Sequence, residues 1–287
     1  MNTRNIDCEL FISADPQHVF AAFTEAEHLM RWFAPHVRSE PGIGGFVNLL
    51  WDTEGASKDC EFVEGHPGER LVMNWYAGPD GESCLPVAVD FVAVDGGTRL
   101  RLVHSGFLSD ESWDDEFVSH SRGWRYELQS LKYYLERQFG YARQHLLQRI
   151  PISGDRSSAW AALLGADGEF QFIGQSDSDS PTIIGRLRLP DGQITAAELL
   201  LECAGTDFVV IADALDGGLL RFALETFSGQ PEIWIWAFSW QLAEDELLSR
   251  VKPWFEKVHD RLSAGMGEDR QSLGLSLIHI SEPTRLR

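Results

Sequence analysis

The sequence has little positive charge for its length of 287 residues. It contains 24 Lys and Arg residues against 44 Asp and Glu residues, which gives a formal net charge of −20 at pH 7. Nucleic acids and anionic membrane surfaces attract basic patches, so this composition argues against both as partners. The sequence also lacks an apolar run of about 18 residues, the length that spans a bilayer, and an apolar signal core at its start. These absences favour a soluble, cytoplasmic protein.

Several signatures of metal, cofactor and nucleophile chemistry are also missing. The four cysteines are scattered without a Cys-x-x-Cys pair, which indicates reduced thiols and not a disulfide framework or a zinc site. The histidines form no His-x-His or His-Glu-x-x-His spacing. A phosphate-binding loop and a Gly-x-Ser-x-Gly motif are absent as well. We therefore expect no metal and no cofactor.

The first half of the chain combines strand and helix patterns. Apolar residues alternate over residues 6–12, which predicts a half-buried strand. Asp15-Pro16 predicts a helix start, because Asp caps helices and Pro fits their first turn. From about residue 121 to 139, apolar side chains recur at the spacing of one helix face. They are Trp124, Leu128, Leu131 and Leu135.

Between these elements the sequence predicts a second short helix and a series of antiparallel strands. The strand patterns lie at 46–51, 60–63, 71–76, 87–94 and 98–104. Asp95-Gly96-Gly97 predicts a hairpin turn between the last two strands. The acidic run at 110–116 is interpreted as a solvated loop that favours the start of the long helix, with a protein-docking patch as the alternative.

The same pattern begins again at an offset of 140 residues. The segment 150–163, with Asp155 at its predicted helix start, matches 10–23. Strand patterns follow as far as residue 240, and a closing helix with one apolar face ends near residue 262. We interpret the chain as an α+β protein of two tandem domains, residues 1–140 and 146–265.

The end of the chain does not fit either domain. Residues 266–287 are expected to form a disordered tail. From about Leu275 onward the sequence resembles the translation of a sequencing adapter, so this part is excluded from the fold prediction. We expect it to make no packed contacts with either domain.

Four short motifs in the first domain together resemble one protein family. They are Leu-Met-Arg-Trp-Phe-Ala-Pro at 29–35, Gly-Gly-Phe at 44–46, Ser-Gly-Phe at 105–107 and Gly-Trp at 123–124. This ordered set, followed by a long helix, resembles the START-like (SRPBCC) superfamily, in the branch related to the C-terminal domain of the heat-shock-protein ATPase activator. The resemblance implies two helix-grip domains, each a curved antiparallel sheet wrapped around a long C-terminal helix, with a cavity between sheet and helix. It is weaker in the second domain, which lacks the first two motifs.

His104 is the candidate polar group of the first cavity. Along the strand at 98–104, Leu100, Leu102 and His104 share one face, and Arg99 and Arg101 lie on the other. Since the arginines require water, His104 is expected to face the helix, where it could orient a ligand or act as a general acid or base. The alternative, which the sequence favours, is a core histidine bonded to a backbone carbonyl or a tyrosine hydroxyl.

Large side chains are expected around His104 in the first domain. The candidate ligand-binding residues are Trp32, Trp51, Trp75, Leu100, Leu102, His104, Trp124, Leu128 and Leu131. The resemblance implies that such aromatics line a cavity, whereas ordinary core packing is the structural alternative. In the second domain, Trp234, Trp236 and Phe238 are aligned with Leu100, Leu102 and His104, so that cavity is expected to be filled.

The leading functional hypothesis is a non-enzymatic cytosolic protein that binds a hydrophobic small molecule in the first domain. One alternative implied by the resemblance is a co-chaperone-like partner of a heat-shock ATPase, with a role in the stress response. A second alternative is an enzyme similar to the polyketide cyclases and dehydratases of the superfamily, with His104 as its acid or base. Such an enzyme needs a second polar group in the same pocket.

Overall fold

The chain divides into two compact units, Met1–Tyr141 and Ala142–Arg287. Each unit contains one antiparallel sheet and a long C-terminal helix, so the fold is α+β. This is a computed structural model. It describes residues 2–51, 57–77, 83–152, 154–176, 182–227, 229–263 and 277–278.

The first unit has a seven-stranded sheet whose first and last strands are neighbours. Its elements are β1 (Thr3–Ile12), α1 (Pro16–Thr24), α2 (Ala26–Trp32), β2 (His36–Ser39), β3 (Phe46–Leu50), β4 (Ser57–His66), β5 (Arg70–Ala77), β6 (Ser83–Val94), β7 (Gly97–Leu108) and α3 (Asp114–Arg137). The strand order is β1-β7-β6-β5-β4-β3-β2. Helix α3 packs along β1 and against α2, which gives the helix-grip arrangement.

The structure contains the helix start that was predicted at Asp15-Pro16 and the turn that was predicted at residues 95–97. Asp15 caps α1 by accepting a hydrogen bond from the Gln17 backbone at 2.8 Å, and Pro16 opens the helix. Gly96 has φ +79°, a left-handed conformation that glycine adopts without strain, and it lies in the turn between β6 and β7. A Cβ atom on Gly97 would lie 2.2 Å from the carbonyl oxygen of Ile12, so the turn also needs glycine for close packing.

Helix α3 begins earlier than the sequence analysis predicted. It starts at Asp114, after a short 3-10 turn at Glu111–Trp113, so part of the supposed acidic loop is helical. The first turn of α3 contains Asp114, Asp115 and Glu116. Negative side chains stabilise the positive end of a helix dipole, and this effect outweighs their preference for a solvated loop. Strand β2 was also absent from the prediction, because four residues of mixed burial show little alternation.

The second unit repeats the connectivity of the first, and its described residues contain no counterpart of α2. Its elements are β8 (Gln144–Pro151), α4 (Arg156–Leu164), β9 (Gln171–Ser176), β10 (Ile183–Arg188), β11 (Ile194–Cys203), β12 (Asp207–Ala212), β13 (Gly218–Phe227), β14 (Gln230–Ser239) and α5 (Glu244–Ser263). The strand order is β8-β14-β13-β12-β11-β10-β9, again with the first strand beside the last. The core lies between this sheet and helices α4 and α5.

The aromatic residues of β14 do not occupy the positions that the sequence analysis assigned to them. In the first unit, His104 lies opposite Ile6, and at an offset of 140 residues Leu146 lies opposite Ala237. By the same register, Ile233 and Ile235 correspond to Leu100 and Leu102. The core contains Ile233, Ile235 and Ala237.

Trp234, Trp236 and Phe238 therefore lie on the other face of β14. The guanidinium of Arg149, opposite Trp234 on β8, lies 4.9 Å from the Trp234 ring. The predicted alignment was wrong by one residue, and a one-residue slip moves every side chain of a strand to the opposite face. The expectation that these three rings fill the cavity of the second unit is wrong for the same reason.

The tail also differs from the expectation at two positions. Leu277 and Ile278 form a two-residue strand, β15, that pairs with Gln148 and Leu147 at the edge of β8. The backbone N–H and C=O groups at the edge of a sheet can pair with any extended segment, whatever its side chains. This property of the β8 edge accounts for its pairing with β15. The other residues of the expected disordered tail lie outside the described residues.

We expect a fragment of residues 1–141 to fold by itself, because it contains a complete sheet and its own long helix. Its far-ultraviolet circular dichroism spectrum should show both helix and strand, and its thermal unfolding should be cooperative. An unfolded fragment, under conditions in which the full chain is folded, would contradict this prediction.

Candidate functional site

His104 lies inside the first unit, as its position on the inner face of β7 predicted. Its side chain is fully buried. The indole Nε1–H of Trp124, on α3, donates a hydrogen bond of 2.9 Å to its Nδ1 atom. This bond joins the long helix to the sheet. The sequence analysis expected a backbone carbonyl or a tyrosine hydroxyl as the partner of His104. The Leu85 backbone does lie beside the imidazole, and the Trp124 indole is a partner that was not expected.

The surroundings of His104 fix its charge and its tautomer. Burial lowers the pKa of His104 to about 2, and His120 and Lys58 act in the same direction. The imidazole is therefore neutral, and since Nδ1 accepts the Trp124 bond, its proton is on Nε2. That Nε2 atom has no hydrogen-bond partner of normal geometry among the described residues, although the Leu85 backbone lies close enough to favour protonation.

Four rings surround His104, and with it they form what we call the aromatic cluster: Trp75, His104, Phe107, His120 and Trp124. The centroid of the His104 ring lies 4.8 Å from Phe107, 5.2 Å from His120, 5.8 Å from Trp75 and 6.2 Å from Trp124. Trp75 also lies 5.8 Å from both His120 and Trp124. The cluster therefore unites side chains from β5, β7 and the first half of α3.

Phe107 and His120 are the two members of the cluster that the predicted site did not include, and His120 is the polar one. Its Nδ1 atom lies 2.8 Å from the backbone oxygen of Glu116 and 3.2 Å from the Glu116 carboxylate. A proton on Nδ1 satisfies these contacts and leaves Nε2 as an acceptor. A sequence signal existed, because His120 and Phe117 precede Trp124 by four and seven residues. They continue its helix face towards the N-terminus.

Phe33 connects the aromatic cluster to two further predicted tryptophans. Its ring lies 5.6 Å from Trp124, 4.8 Å from Trp32 and 5.5 Å from Trp51. The Trp32 indole donates to the backbone oxygen of Ala22 at 2.8 Å, which marks Trp32 as a packing residue between α1 and α2. Trp51 is only half-buried and lies at the outer side of this group.

The predicted leucines form the interior beside the aromatic cluster. Leu100 and Leu102 precede His104 on the inner face of β7 and are fully buried. Leu128 and Leu131 follow Trp124 on α3 and are also buried. All nine predicted residues thus belong to the first unit, but only Trp75, His104 and Trp124 are members of the cluster itself.

Two buried nitrogen atoms of the aromatic cluster have no hydrogen bond of normal geometry among the described residues, although the Leu85 backbone lies close to one of them. They are Nε1 of Trp75 and Nε2 of His104, and the Leu85 backbone lies close to His104. A buried polar group without a partner costs about 1–3 kcal/mol, so native proteins retain few of them. Such groups in a cluster with a half-buried rim are candidates for contact with a ligand.

A separate groove lies on the outer face of the same sheet. It has a volume of about 870 Å³ and is lined by Glu9, Gln17, Asp90, Arg99 and Arg101, among others. Both of its arginines are paired, since Arg101 donates to Asp7 at 2.6 and 3.0 Å and Arg99 lies 3.9 Å from the Glu9 carboxylate. This groove is open and charged, so it does not suit an apolar ligand.

The described residues contain no group of three or more His, Cys, Asp or Glu side chains arranged to hold a metal ion. Within the same part of the chain, none of the helices combines the length and the apolar character that crossing a membrane requires.

The family comparison agrees with the motifs of the first unit. Residues 13–136 match the family described as Activator of Hsp90 ATPase homolog 1-like protein. Over these residues the first unit is similar to that family. The match covers less than half of the 287 residues and does not reach the second unit. No curated protein matches the chain.

Several solved structures are similar to parts of the chain. Protein MLL2253 from Mesorhizobium loti is 23% identical, covering 47% of this chain and 99% of its own, with a TM-score of 0.43. The Aha1 dimer from Colwellia psychrerythraea is 21% identical, covering 48% and 99%, with a TM-score of 0.42. DynU16, a protein of the dynemicin biosynthetic locus, is 15% identical and covers 90% of this chain and 96% of its own, with a TM-score of 0.41.

The buried state of His104 predicts a pH effect on stability. Folded His104 stays neutral down to about pH 2, whereas an unfolded histidine takes up a proton below about pH 6.5. The unfolded state therefore binds more protons in this window. The free energy of unfolding should therefore decrease as the pH is lowered, by up to about 1.4 kcal/mol per pH unit from this group. Urea unfolding between about pH 7 and pH 5 measures the slope.

The comparison of two variants isolates the contribution of His104. The slope should flatten in His104→Phe and should stay unchanged in His66→Phe, whose imidazole is exposed. Equal slopes in the wild type and His104→Phe would contradict the prediction.

Proposed function

We propose that the chain is a cytosolic binding protein for an apolar small molecule, which contacts the aromatic cluster of the first unit. The observation that carries this proposal is the neutral, buried His104 among aromatic rings. Since its pKa is about 2, the imidazole does not take up a proton near pH 7 and suits hydrogen bonding better than acid–base catalysis. A mostly apolar site with a few oriented polar groups is typical of small-molecule binding.

The enzyme alternative now depends on His120 and not on His104. His120 is oriented through Nδ1 by Glu116, and its ring lies 5.2 Å from His104. It supplies the second polar group that an enzyme of this type needs. A carboxylate that orients a histidine is a common arrangement for a general base, so a proton-transfer reaction is the second candidate function.

The co-chaperone alternative is favoured by the family match alone, through its description as Hsp90 ATPase activator homologue-like. Under this alternative a surface of the Aha-like domain would contact the ATPase. An increase in the ATP hydrolysis rate of purified Hsp90 after addition of the chain would favour this alternative over the small-molecule hypothesis.

We expect the substitution Leu102→Trp to abolish binding of an apolar fluorescent probe such as N-phenyl-1-naphthylamine. Leu102 lies two residues before His104 on the same face of β7, so a larger side chain would fill the space beside the cluster. Overpacking should cost about 1–3 kcal/mol of stability. Fluorescence titration measures the binding, and urea unfolding measures the stability.

Ile235→Trp is the matched control, since Ile235 occupies the register position of Leu102 in the second unit. It should lose similar stability and keep probe binding. If Leu102→Trp binds the probe like the wild type, or if only Ile235→Trp loses binding, the proposed site is wrong.

A further inference from the structure

The second unit contains a small pocket between helix α4 and one end of its sheet. The pocket has a volume of about 200 Å³, and its lining includes Trp160, Leu164, Phe172, Glu202, Asp207 and Phe208. Sites for drug-sized ligands measure about 300–1,000 Å³, so this pocket suits only a small chemical group. The inference drawn from it does not depend on the proposed function, which concerns the first unit.

Three aromatic rings form the apolar part of the pocket. The ring centroids of Phe172 and Phe208 are 5.9 Å apart, and their planes are inclined by 63°. Trp160, on α4, is partly buried against the core of the second unit and also lines the pocket. The face of an aromatic ring carries partial negative charge, so a pocket lined by such rings attracts a cation.

Glu202 adds a carboxylate to these rings. It lies on β11 opposite Phe208 of β12, and the side chains of directly opposite residues lie on the same face of a sheet. Glu202 is exposed and forms no ion pair or hydrogen bond with another of the described residues. Asp207, the other carboxylate of the lining, lies 3.4 Å from the guanidinium of Arg221. Glu202 is therefore the carboxylate that a ligand can use.

The strand register shows that the first unit has other side chains at these positions. The row of paired residues that starts at Leu102 continues through Val89 and Leu71 to Gly65. The row that starts at Ile235, the counterpart of Leu102, continues through Phe222 and Phe208 to Glu202. The second unit thus has a ring and a carboxylate where the first unit has leucine and glycine.

The same comparison places Glu202 beside Trp160. A Cβ atom on Gly65 would lie 3.9 Å from the Cζ atom of Phe20, and Phe20 precedes Trp160 by the offset of 140 residues. Helices α1 and α4 both begin after an aspartate cap at this offset. The side chain of Glu202 therefore begins next to the Trp160 ring.

The charges and rings of the pocket determine the class of ligand. No Lys or Arg of the described residues lines it, so an anion would lose its hydration without a compensating charge. A metal cation or a bare ammonium group is strongly hydrated and requires several oxygen ligands, which aromatic walls do not supply. A quaternary ammonium group has an apolar surface and a positive charge, and aromatic rings recognise this combination.

We propose that this pocket binds a trimethylammonium group. The methyl groups contact the rings of Trp160, Phe172 and Phe208, and the positive charge lies near the Glu202 carboxylate. A free small molecule such as choline and a trimethylated lysine side chain of a peptide both present this group.

Two probes of the same shape test this proposal in the full chain: choline and 3,3-dimethylbutan-1-ol, in which a carbon atom replaces the nitrogen. Titration at constant ionic strength, followed through the ¹H resonance signals of the probe's methyl groups, gives both dissociation constants. Choline should bind about tenfold more tightly than the alcohol. A chain with a net charge of −20 attracts any cation, so the change of this ratio between variants is the informative quantity.

Trp160→Leu removes one ring, and Glu202→Gln removes the charge while keeping the shape of the side chain. Each should raise the dissociation constant of choline about fivefold, with a much smaller change for the alcohol. Trp160→Phe keeps an aromatic ring and should retain most of the preference for choline. Since Glu202 is exposed, Glu202→Gln tests the proposal without disturbing the core.

Each variant has a matched control. Phe20→Leu removes the ring at the position of the first unit that corresponds to Trp160. Glu198→Gln removes a carboxylate from the same strand as Glu202, but on the face opposite to the core residue Ala197 that precedes it. Both controls should leave the ratio of the two dissociation constants unchanged.

A short peptide with one trimethyllysine, compared with the same peptide carrying unmodified lysine, distinguishes the two sources of the group. Tighter binding of the trimethylated peptide than of choline would assign the pocket to a modified protein, and tighter binding of choline would assign it to a free small molecule. The proposal is wrong if choline does not bind, or if choline and the alcohol bind equally to the wild type. It is also wrong if Trp160→Leu and Glu202→Gln both bind choline like the wild type.

Discussion

The hydrogen bond from the Trp124 indole to Nδ1 of His104 determines the chemistry of the first unit. It connects α3 to β7 across the interior, and it gives a buried donor and a buried acceptor a partner each. It also fixes the tautomer, since a nitrogen that accepts this bond cannot carry the proton. The position of the imidazole proton on Nε2 depends on this one contact, whereas burial keeps His104 neutral. Without it the imidazole could rotate or change tautomer, and the cluster would lose its defined donor.

The second unit has the same connectivity as the first but no counterpart of the Trp124–His104 hydrogen bond among its described residues. By strand register, Ala237 takes the position of His104, so no side chain there can bond to the closing helix. Leu247, Val251 and Phe255 of α5 pack in a core that also contains Ile233 and Ile235. Apolar burial, which is non-directional, holds the inner face of this helix. Its polar contacts go to loops, from the Trp254 indole to Asp191 at 3.0 Å and from Arg250 to the Ala214 backbone oxygen at 3.1 Å. The two units therefore share a topology, whereas a polar cluster of this kind belongs to the first unit.

The site also separates two roles that the sequence analysis assigned to a single histidine. His104 is too buried to exchange a proton near neutral pH, since its pKa is about 2. His120 lies nearer to the rim, with 10% of its side chain exposed, and Glu116 orients it. Burial keeps the His104 imidazole neutral, with its proton on Nε2. Glu116 lies four residues before His120 on the same helix, so its carboxylate can contact the His120 imidazole. The binding and catalytic hypotheses now concern different atoms of the same cluster.

Local patterns determined much of this protein from the sequence alone. The alternation at residues 6–12, the cap at Asp15, the hairpin at Gly96 and the helix face of Trp124 each depend on neighbours in the chain, so they were predictable. The inward position of His104 followed from the arginines beside it. The tertiary structure decided what depends on distant residues. The partner of His104 comes from a helix 20 residues further on. The face of Trp234 was set by pairing with Arg149 in β8. Side chains of a strand alternate between two faces, and both faces of β14 are apolar. The sequence pattern therefore could not reveal that the alignment of β14 with β7 was wrong by one residue. The register between β8 and β14 revealed it.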